Sequence, residues 1–406
     1  MHILFFTQHF PPESNAPASR TFDHCKQWIA KGHQVTVITC APNHPKGILF
    51  KGYKNRLWQS EDINGIRVIR IWCVITPNKG FFKRIFGYMT FFPGSILAGL
   101  FIRKVDVVVG TSPQIFSPIA AGIVSFFKRT PWVFELRDIL SESLLATNLV
   151  QNKFLLRLLK YFEVFLYKRA DAMIVVTNGF KNILINQGIQ PKKVYVITNG
   201  VDLEKFKPIP KNRSLMESLN IENSFIAGYI GTHGLAHGLD SILYAAELIQ
   251  NKYKNNNIKI ILLGDGANKE SLIDLSNKLN LKNVLFLDLV PRHKIHLYWS
   301  ILDVSIIHLK KTNIFDTYIP SKIFEAMGMG IPLLHCVSGE SADIVKLNNL
   351  GCIVESENAE DIASSLIDLS QNNHKIETYR TANIAASSKF SRVNLANKMM
   401  DVLEKL

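Results

Sequence analysis

The chain has 406 residues, of which 47% are hydrophobic and 20% are charged, and its formal net charge is +14. A chain of this length is too long for a single hydrophobic core and is typical of two domains. The composition excludes a disordered chain. Five scattered cysteines without a C-x-x-C pair argue against a disulfide framework or a zinc site, and they fit a reducing compartment.

The N-terminal stretch MHILFFTQHF has neither a basic leader nor a long apolar core, so it predicts a first β-strand and not a signal peptide. Further Val- and Ile-rich runs alternate with helical stretches. They cover residues 2–6, 34–39, 66–72, 105–110, 132–136, 172–176, 194–198, 225–230, 258–264, 283–287, 303–309, 331–335 and 352–355. Many lack polar alternation, which is typical of parallel strands covered on both faces. The sequence therefore predicts two doubly wound α/β domains, with the seam after TNGVD (198–202).

The loop FPPESNAPASR (10–20) follows the first strand, where an α/β domain presents its ligand edge. Two prolines stiffen the loop, and Ser, Asn and Arg20 supply hydrogen-bond donors. A stiff turn without a ligand is an equal alternative.

The excess of basic over acidic residues is confined to the first half of the chain. Residues 1–200 contain 25 Lys and Arg against 10 Asp and Glu, whereas the remainder contains 22 against 23. A basic surface on one side favours an anionic partner, which is membrane lipid, nucleic acid or a phosphorylated substrate.

An apolar, aromatic stretch covers residues 78–104. Its uncharged run of 18 residues is flanked by Lys83–Arg84 and Arg103–Lys104. Pro93 and three glycines interrupt the run, and it lies between two strands, so we reject a membrane span. Two interpretations remain: a surface helix pair in the membrane interface, or a buried helix lining the domain. Residues 153–169 repeat the pattern, which favours an anionic membrane surface over nucleic acid, for which the chain has no motif.

Three charges follow one another at the end of the strand in FELRDIL (134–140). Glu135, Arg137 and Asp138 are costly there unless they pair or face a cleft. One carboxylate is therefore a candidate to accept a hydrogen bond or a proton from an acceptor hydroxyl. A structural Arg–Asp pair is the alternative.

A glycine-rich turn, GYIGTHGLAHGLD (228–240), joins an apolar run to a helical pattern. Bare N–H groups and a helix N-terminus in such a turn bind an anion, so Gly231 and Thr232 are candidate ligands. His233 and His237 stand in this loop instead of lysine or arginine. A tight turn without a ligand is the alternative.

A second glycine turn, LLGDGANKESL (262–272), follows the next strand. Gly264 and Gly266 allow a tight turn, and Asp265 is able to bind a ligand or to cap the helix.

The most specific motif is IPSKIFEAMGMGIPLLH (319–335). Pro320–Ser321 predicts a helix start, so that the amides of Ser321, Lys322 and Ile323 would point at an anion, with charge added by Lys322. Glu325 lies one turn further on the same face. A carboxylate does not bind phosphate, but it accepts hydrogen bonds from the two hydroxyls of a ribose, so the motif describes a nucleoside diphosphate. A helix with an ordinary dipole partner is the alternative.

Together these motifs resemble the family 4 retaining glycosyltransferases of the GT-B fold, in which two Rossmann-like domains face each other across a cleft. FPPE, KGHQVTVIT, NGVD, GYIG, GDG and SKIFEAMGMGIP occur in the family's order over nearly the whole chain. ELRD, GYIGTHGLAHGLD and PSKIFEAM further resemble bacterial O-antigen and capsule enzymes that transfer N-acetylated deoxyhexosamines such as N-acetylfucosamine.

The resemblance implies domains at residues 1–200 and 201–385, and a C-terminal helix in 386–406 that crosses back to the first domain. It implies a UDP-sugar donor and no further cofactor. Glu325 would bind the ribose, and the diphosphate would lie on Gly231, Thr232 and the turn Ser321, Lys322 and Ile323. The base would meet Val290–Pro291, and Asp138 and Glu135 would face the acceptor.

The sequence departs from the family in two places. Many members have Arg and Lys in the glycine loop, where this chain has Thr232 or His233, and His237. Amide dipoles, Lys322 and protonated histidine would replace those cations, and a histidine would also be able to protonate the departing phosphate. Many members also have a second glutamate eight residues before Glu325, where this chain has Thr317, with Asp316 beside it.

The sequence contains no H-E-x-x-H, no D-x-D and no metal-ligand cluster, so we expect metal-independent transfer. The family implies retention of the anomeric configuration. We expect an undecaprenyl-diphosphate-linked saccharide as acceptor and a peripheral location on the inner face of the bacterial inner membrane; residues 78–104 would serve a homodimer equally well. The rival functions are a hydrolysing UDP-N-acetylhexosamine epimerase and a non-catalytic sugar-nucleotide-binding subunit.

Overall fold

The computed structural model describes residues 1–13, 15–44, 47–76, 81–146, 150, 152–254, 257–312 and 314–406. Two compact units make up the chain, Met1–Asn199 with Arg392–Leu406, and Gly200–Ser391. The break near residue 200 falls inside TNGVD. The C-terminal segment belongs to the first unit from Arg392 and not from residue 386, because the preceding helix continues to Ser387 in the second unit.

An eight-stranded sheet with the order β3-β4-β2-β1-β5-β6-β7-β8 forms the centre of the first unit. Its strands are β1 (His2–Phe6), β2 (Gln34–Cys40), β3 (Trp58–Ile63), β4 (Ile66–Ile71), β5 (Val107–Thr111), β6 (Trp132–Leu136), β7 (Ala172–Val175) and β8 (Val194–Val196). Neighbouring strands are parallel except for the β3–β4 pair. The central strands β5, β6 and β7 are buried at every residue, as their continuous apolar runs predict.

Helices connect these strands. They are α1 (Ala16–Ala30), α2 (Phe81–Phe101), α3 (Phe116–Lys128), α4 (Leu140–Ala146), α5 (Lys153–Arg169) and α6 (Asn178–Asn186). The α1 helix begins where the Asn15 side chain accepts a hydrogen bond from the Ala18 amide at 2.9 Å, a standard N-cap. The predicted loop at residues 10–20 is therefore shorter than expected, because its second half is the start of this helix. Ser14 lies outside the described residues.

Residues 81–101 form one helix, α2, in place of the predicted pair, and Pro93 lies inside it. One side is buried, with Phe91, Ser95 and Ala98 fully enclosed, while Leu97 and Phe101 on the other side are 59% and 74% exposed. The buried face agrees with the interpretation of a helix that lines the domain, whereas the membrane interface stays a prediction for the exposed face. Residues 78–80 and the side chains of Lys83 and Arg84 lie outside what the structure describes.

The second unit contains a six-stranded parallel sheet with the order β11-β10-β9-β12-β13-β14. Its strands are β9 (Phe225–Ile230), β10 (Ile258–Leu263), β11 (Val284–Leu287), β12 (Val304–His308), β13 (Leu333–Cys336) and β14 (Gly351–Ile353). Its helices are α7 (Arg213–Ser218), α8 (Asp240–Glu247), α9 (Lys269–Lys278), α10 (Ile295–Ser300), α11 (Lys322–Met329), α12 (Glu340–Asn348), α13 (Ala359–Gln371) and α14 (Asn373–Ser387). Strand order reverses between β9 and β12, and in such sheets ligands bind at this switch point, beyond the carboxyl ends of the strands. The two Rossmann-like α/β units confirm the predicted fold class.

The last helix, α15 (Arg392–Leu403), completes the core of the first unit. Its apolar side chains, Leu395, Met399 and Met400 among them, share one buried cluster with Trp28 and Cys25 of α1. The Trp28 indole donates to the Ala396 carbonyl at 2.9 Å, and Arg392 pairs with buried Asp23. The segment is therefore an integral part of the first unit.

We expect Met399→Ala to lower the free energy of unfolding of the first unit by about 2–5 kcal/mol, because the fully buried side chain leaves a cavity. Denaturant unfolding followed by tryptophan fluorescence would measure the loss, because four of the five tryptophans lie in the first unit. Lys398→Ala, one residue away on the exposed face of α15, is the matched control and should change little. Equal stability of the two variants would contradict the packing of α15 described above.

Candidate functional site

The glycine-rich turn after β9 lies at the switch point of the second sheet. His237 and Gly238 end a short 3-10 segment before α8, and Gly238 has a φ of +56°. A Cβ on Gly238 would meet the His308 ring at 3.0 Å. The loop after β9 therefore packs directly on the end of β12, as the doubly wound order requires.

The two predicted glycine turns are in contact with each other. Gly264 has a φ of +153°, and a Cβ there would lie 1.8 Å from the Gly231 carbonyl oxygen. The His233 amide donates to the Asp265 carbonyl at 2.9 Å, and Gly266 abuts the His233 backbone. The Asp265 side chain is exposed and accepts from the Gly266 amide at 2.8 Å. Gly264 and Gly266 are glycines because the backbone of the first turn approaches them too closely for any side chain.

His233 is enclosed by this packing. Its residue is 0% exposed, and neither ring nitrogen has a hydrogen-bond partner in the described part of the chain. Burial, with a smaller contribution from the nearby Lys269 charge, lowers the pKa of His233 to about 4. Burial also lowers the pKa of His237, whose Nδ1 lies 3.3 Å from the Gly234 carbonyl.

These pKa directions correct one expectation. A protonated histidine was predicted to replace the missing cations of the glycine loop, but desolvation keeps both rings neutral at neutral pH in the unliganded protein. His233 and His237 remain within the loop as neutral groups that are able to donate or accept a hydrogen bond.

The α11 helix begins at Lys322 with Ser321 as its N-cap residue, as predicted, but without a side-chain cap. Ser321 precedes it in α-helical conformation and makes no capping hydrogen bond with its side chain. The Ile323 amide donates to the Pro320 carbonyl at 3.1 Å, so the prediction that all three amides face an anion is wrong for Ile323. A helical turn placed before the helix takes up this donor.

Glu325 is held from two sides. Its Oε2 accepts from Lys322 Nζ at 2.9 Å and from the fully buried Trp299 indole nitrogen at 3.3 Å. Its side chain remains 14% exposed. The two predicted ligands of one nucleotide, Lys322 and Glu325, thus form an ion pair with each other one turn apart.

Val290 and Pro291 follow β11, which pairs with β10, so they lie at the same edge of the sheet as Gly264. Thr232 is exposed, and its carbonyl accepts from the Tyr229 hydroxyl at 2.9 Å. The second unit therefore brings Gly231, Thr232, Gly264, Asp265 and the 290–291 turn to the carboxyl ends of three neighbouring strands.

Sequence reasoning missed two residues of this edge. Lys269 Nζ donates to the Gly264 carbonyl at 3.0 Å and pairs with Asp288 at 2.6 Å, so it joins the ends of β10 and β11. His308 Nδ1 lies 2.7 Å from the His237 carbonyl. The position of Lys269 on the first turn after GDGAN was the available signal, whereas His308 is inside an apolar strand and gave none.

In the first unit, Glu135 is not available to an acceptor. It is 1% exposed, and its Oε1 accepts from Arg20 Nε at 2.8 Å. Arg20 also donates to the Ile197 carbonyl at 2.9 Å, so this pair ties α1, β6 and the end of β8 together. Burial opposes the charge of Glu135, but Arg20 and Arg137 lower its pKa overall. The prediction that Glu135 faces the acceptor substrate is therefore wrong, and its ion pair with Arg20 is structural.

Asp138 lies just beyond β6, half-buried, and accepts a hydrogen bond from the Ser143 hydroxyl. The neighbouring Arg137 has Nε and Nη1 buried without a hydrogen-bond partner among the described residues, and burial lowers its pKa to about 10. The alternative of an Arg137–Asp138 pair therefore gives way to the Arg20–Glu135 pair. Within the described residues, no group of three His, Cys, Asp or Glu side chains is arranged to hold a metal ion.

Comparison with known proteins identifies the family. Residues 18–205 match the model described as Glycosyltransferase Family 4, and residues 211–387 match the model described as Glycosyl transferases group 1. Sucrose-phosphate synthase from Thermosynechococcus elongatus superposes with a TM-score of 0.76 at 15% identity, covering 100% of this chain and 98% of that one. HepE from Anabaena, solved with UDP-glucose, gives 0.72 at 19% identity with both chains fully covered. The chain belongs to the glycosyltransferases of the GT-B fold.

Two curated relatives are bacterial. WcaI of Escherichia coli K12, provisionally named a colanic acid biosynthesis glycosyl transferase, is 21% identical over 341 residues, 81% of this chain and 82% of that protein. An E. coli UDP-Gal:alpha-D-GlcNAc-diphosphoundecaprenol alpha-1,3-galactosyltransferase is 30% identical over 205 residues, 49% of this chain and 48% of that protein. Both relatives are thus named as bacterial glycosyltransferases, and the name of the first places it in colanic acid biosynthesis.

We expect the His233 ring to stay neutral from pH 8 to about pH 5 in the free protein, because its pKa is lowered from 6.5 to about 4. The unfolded chain binds that proton near pH 6.5, so His233 should also cost stability as the pH falls through this window. Ring ¹H–¹³C NMR, with the signal assigned by His233→Gln, would measure the titration. A midpoint near 6.5 would contradict the burial of this ring.

Proposed function

We propose that this glycosyltransferase transfers a sugar from a UDP-sugar to a lipid-diphosphate-linked saccharide, with retention of configuration, during synthesis of a bacterial surface polysaccharide. The observation that carries the proposal is the arrangement in the second unit, where two interlocked glycine turns lie at the switch point of a parallel sheet. A backbone that no side chain can cover is a typical diphosphate cradle.

The ribose is assigned to Glu325. A carboxylate repels phosphate but accepts two hydrogen bonds from a vicinal diol, and the Trp299 indole fixes its orientation from below. On nucleotide binding, the Lys322 ammonium would turn from Glu325 towards the diphosphate. Glu325 would then bind the adjacent ribose. Val290 and Pro291 would meet the uracil through their backbone.

Departure of UDP requires stabilisation of the charge that develops on the diphosphate. Lys322 and the Thr232 amide supply it in this proposal, and neutral His233 or His237 would add a hydrogen bond. The predicted contact of the Gly231 amide is wrong, because this amide donates to the Leu263 carbonyl at 3.0 Å. With these fixed dipoles and one lysine, we propose a transfer that needs no metal ion.

The donor sugar is proposed to be an N-acetylated amino or deoxyamino hexose. The sequence resemblance to N-acetylfucosamine transferases supports this class, and a Campylobacter jejuni relative, 28% identical over 143 residues, is named an N-acetylgalactosaminyltransferase. Thr317 and Asp316 stand where the second family glutamate would contact the sugar, so the hydroxyl contacts of the donor would differ from those of most members.

The acceptor is proposed to carry a diphosphate. The names of two relatives specify diphosphoundecaprenol acceptors. Arg137 supports the same class, because two of its nitrogens are buried without partners in the described structure and a buried cation is costly until an anion pairs with it. Asp138 would then face the reacting hydroxyl.

Contact with an anionic membrane surface is proposed through α5. Phe154, Leu155, Leu158, Tyr161, Phe162 and Phe165 are 41–75% exposed and recur at helical spacing on one stripe. Lys153, Arg157, Lys160, Lys168 and Arg169 are exposed beside the stripe. An apolar stripe turned outwards and edged by basic residues is the pattern of a helix that lies in the headgroup region.

The α2 and α3 helices present further exposed apolar side chains. Leu97, Leu100 and Phe101 of α2, and Phe126 and Phe127 of α3, are 37–76% exposed. Lys128 Nζ donates to the Leu100 carbonyl at 3.0 Å and holds the two helix ends together. No helix in the described part of the chain is long and apolar enough to cross a membrane. A peripheral position on the cytoplasmic face of the inner membrane is therefore proposed.

Glu325→Ala should weaken UDP binding by about 1.5–3 kcal/mol, or about 10- to 150-fold, because a charge-assisted bond to the ribose is lost. Calorimetry with UDP, GDP and ADP would measure it, with Glu270→Ala on the exposed side of α9 as control. The same loss should be smaller for 2′,3′-dideoxy-UDP, which lacks the diol. Binding that is indifferent to Glu325, or absent for UDP, would overturn the site.

Phe154→Glu with Tyr161→Glu should lower partition onto phosphatidylglycerol vesicles by at least about tenfold, since each buried aromatic is worth about 1.5–3 kcal/mol. Flotation at low and high salt would measure it. Leu347→Glu, an 83% exposed leucine of the second unit, is the control and should float as the unaltered chain does. Failure of the unaltered chain to float at low salt would count against the membrane contact.

A further inference from the structure

A small pocket opens at the carboxyl edge of the first sheet, and none of the residues assigned above to a ligand lines it. It has a volume of about 40 Å³, and the residues that line it come from the ends of β1, β2 and β4 and from α2. They are Gln8, His9, Cys40, Asn43, His44, Cys73, Val74, Thr76, Gly87 and Tyr88. None of these residues is an acid, a lysine or an arginine, so the lining does not suit a phosphate.

A buried carboxylate sets the chemistry of His9. Glu13 is 2% exposed, and its Oε2 lies 2.6 Å from His9 Nδ1, while its Oε1 accepts from the amides of Asn43 and His44 at 2.8 and 2.9 Å. These bonds lower the pKa of Glu13 although burial opposes its charge. An ionised Glu13 requires the proton of a neutral His9 ring to be on Nδ1, which leaves Nε2 as an acceptor.

Gln8 presents a second acceptor. The residue is 5% exposed, and its Oε1 is buried without a hydrogen-bond partner among the described residues. A buried carbonyl of this kind costs about 1–3 kcal/mol until a donor reaches it. Gln8 Oε1, which has no donor among the described residues, and His9 Nε2 lie in a neutral pocket of a few waters' volume and fit adjacent hydroxyl groups.

We propose that this pocket binds the sugar end of the acceptor saccharide, with Gln8 Oε1 and His9 Nε2 accepting hydrogen bonds from its hydroxyls. The inference rests on the proposed function and makes Gln8 and His9 residues that determine acceptor specificity. The pocket admits the hydroxyl edge of one sugar ring and not the whole ring, because its volume of about 40 Å³ holds only roughly three waters. Glu13 is a positioning residue, since it acts through the tautomer of His9.

Saturation-transfer NMR on the full chain would test this, with UDP and the n-octyl glycosides of glucose, galactose, N-acetylglucosamine and N-acetylgalactosamine in one sample. Ring protons of at least one glycoside should receive saturation, and Gln8→Met should reduce its affinity about 2- to 10-fold, the worth of one hydrogen bond. Saturation confined to octyl protons, or ring saturation unchanged in Gln8→Met, would overturn the proposal.

The control is Gln187→Met. Gln187 belongs to the same unit but does not line the pocket, and its Oε1 is also buried without a hydrogen-bond partner among the described residues. Both variants should keep their stability, because an unsatisfied polar atom is replaced by an isosteric thioether. His9→Gln is the second pocket variant and should change the preference among the four glycosides. UDP saturation reports separately on the proposed function: its loss would refute that function, whereas its persistence without glycoside binding would refute only the pocket.

Discussion

Burial of the parallel strands is the constraint on which the site depends. When helices cover both faces of a sheet, polar side chains find no place along the strands and gather in the turns at their carboxyl ends. In the second unit this brings the turns after β9, β10 and β11 together, so closely that Gly264 and Gly266 must both lack side chains. The proposed anion cradle is thus a consequence of backbone packing, and the side chains around it only refine it.

Two buried carboxylates of the first unit have different partners and different roles. Glu135 and Glu13 are both carboxylates buried near a sheet edge, but Glu135 meets a guanidinium that also caps the end of β8, and this contact makes it structural. Glu13 contacts the His9 imidazole, and His9 also lines a pocket. Whether a buried carboxylate contributes to ligand binding therefore depends on its partner, and on whether that partner contacts other backbone or a pocket.

Much of the fold was predictable, because continuous apolar runs report strands that are buried on both faces: β1, β6 and β9 have the predicted limits. The antiparallel edge strand β3 was missed, since WQSEDI alternates between exposed and half-buried residues and has no apolar run. Its hairpin turn Asn64–Gly65, with both residues at positive φ, was the readable signal. Partners distant in sequence, such as Arg20 for Glu135 and Trp299 for Glu325, leave no local pattern and required the structure.

The two units also divide their chemistry by charge and apolar surface. The excess of basic residues and the exposed aromatic stripe of α5 belong to the first unit, whereas the proposed nucleotide site belongs to the second, whose charges nearly balance. A water-soluble nucleotide needs directed dipoles but no long-range field, while an acceptor anchored in an anionic surface requires its enzyme to be attracted to that surface. A neutral pocket in the basic unit is then consistent with the proposed recognition of an uncharged sugar on a lipid-linked acceptor.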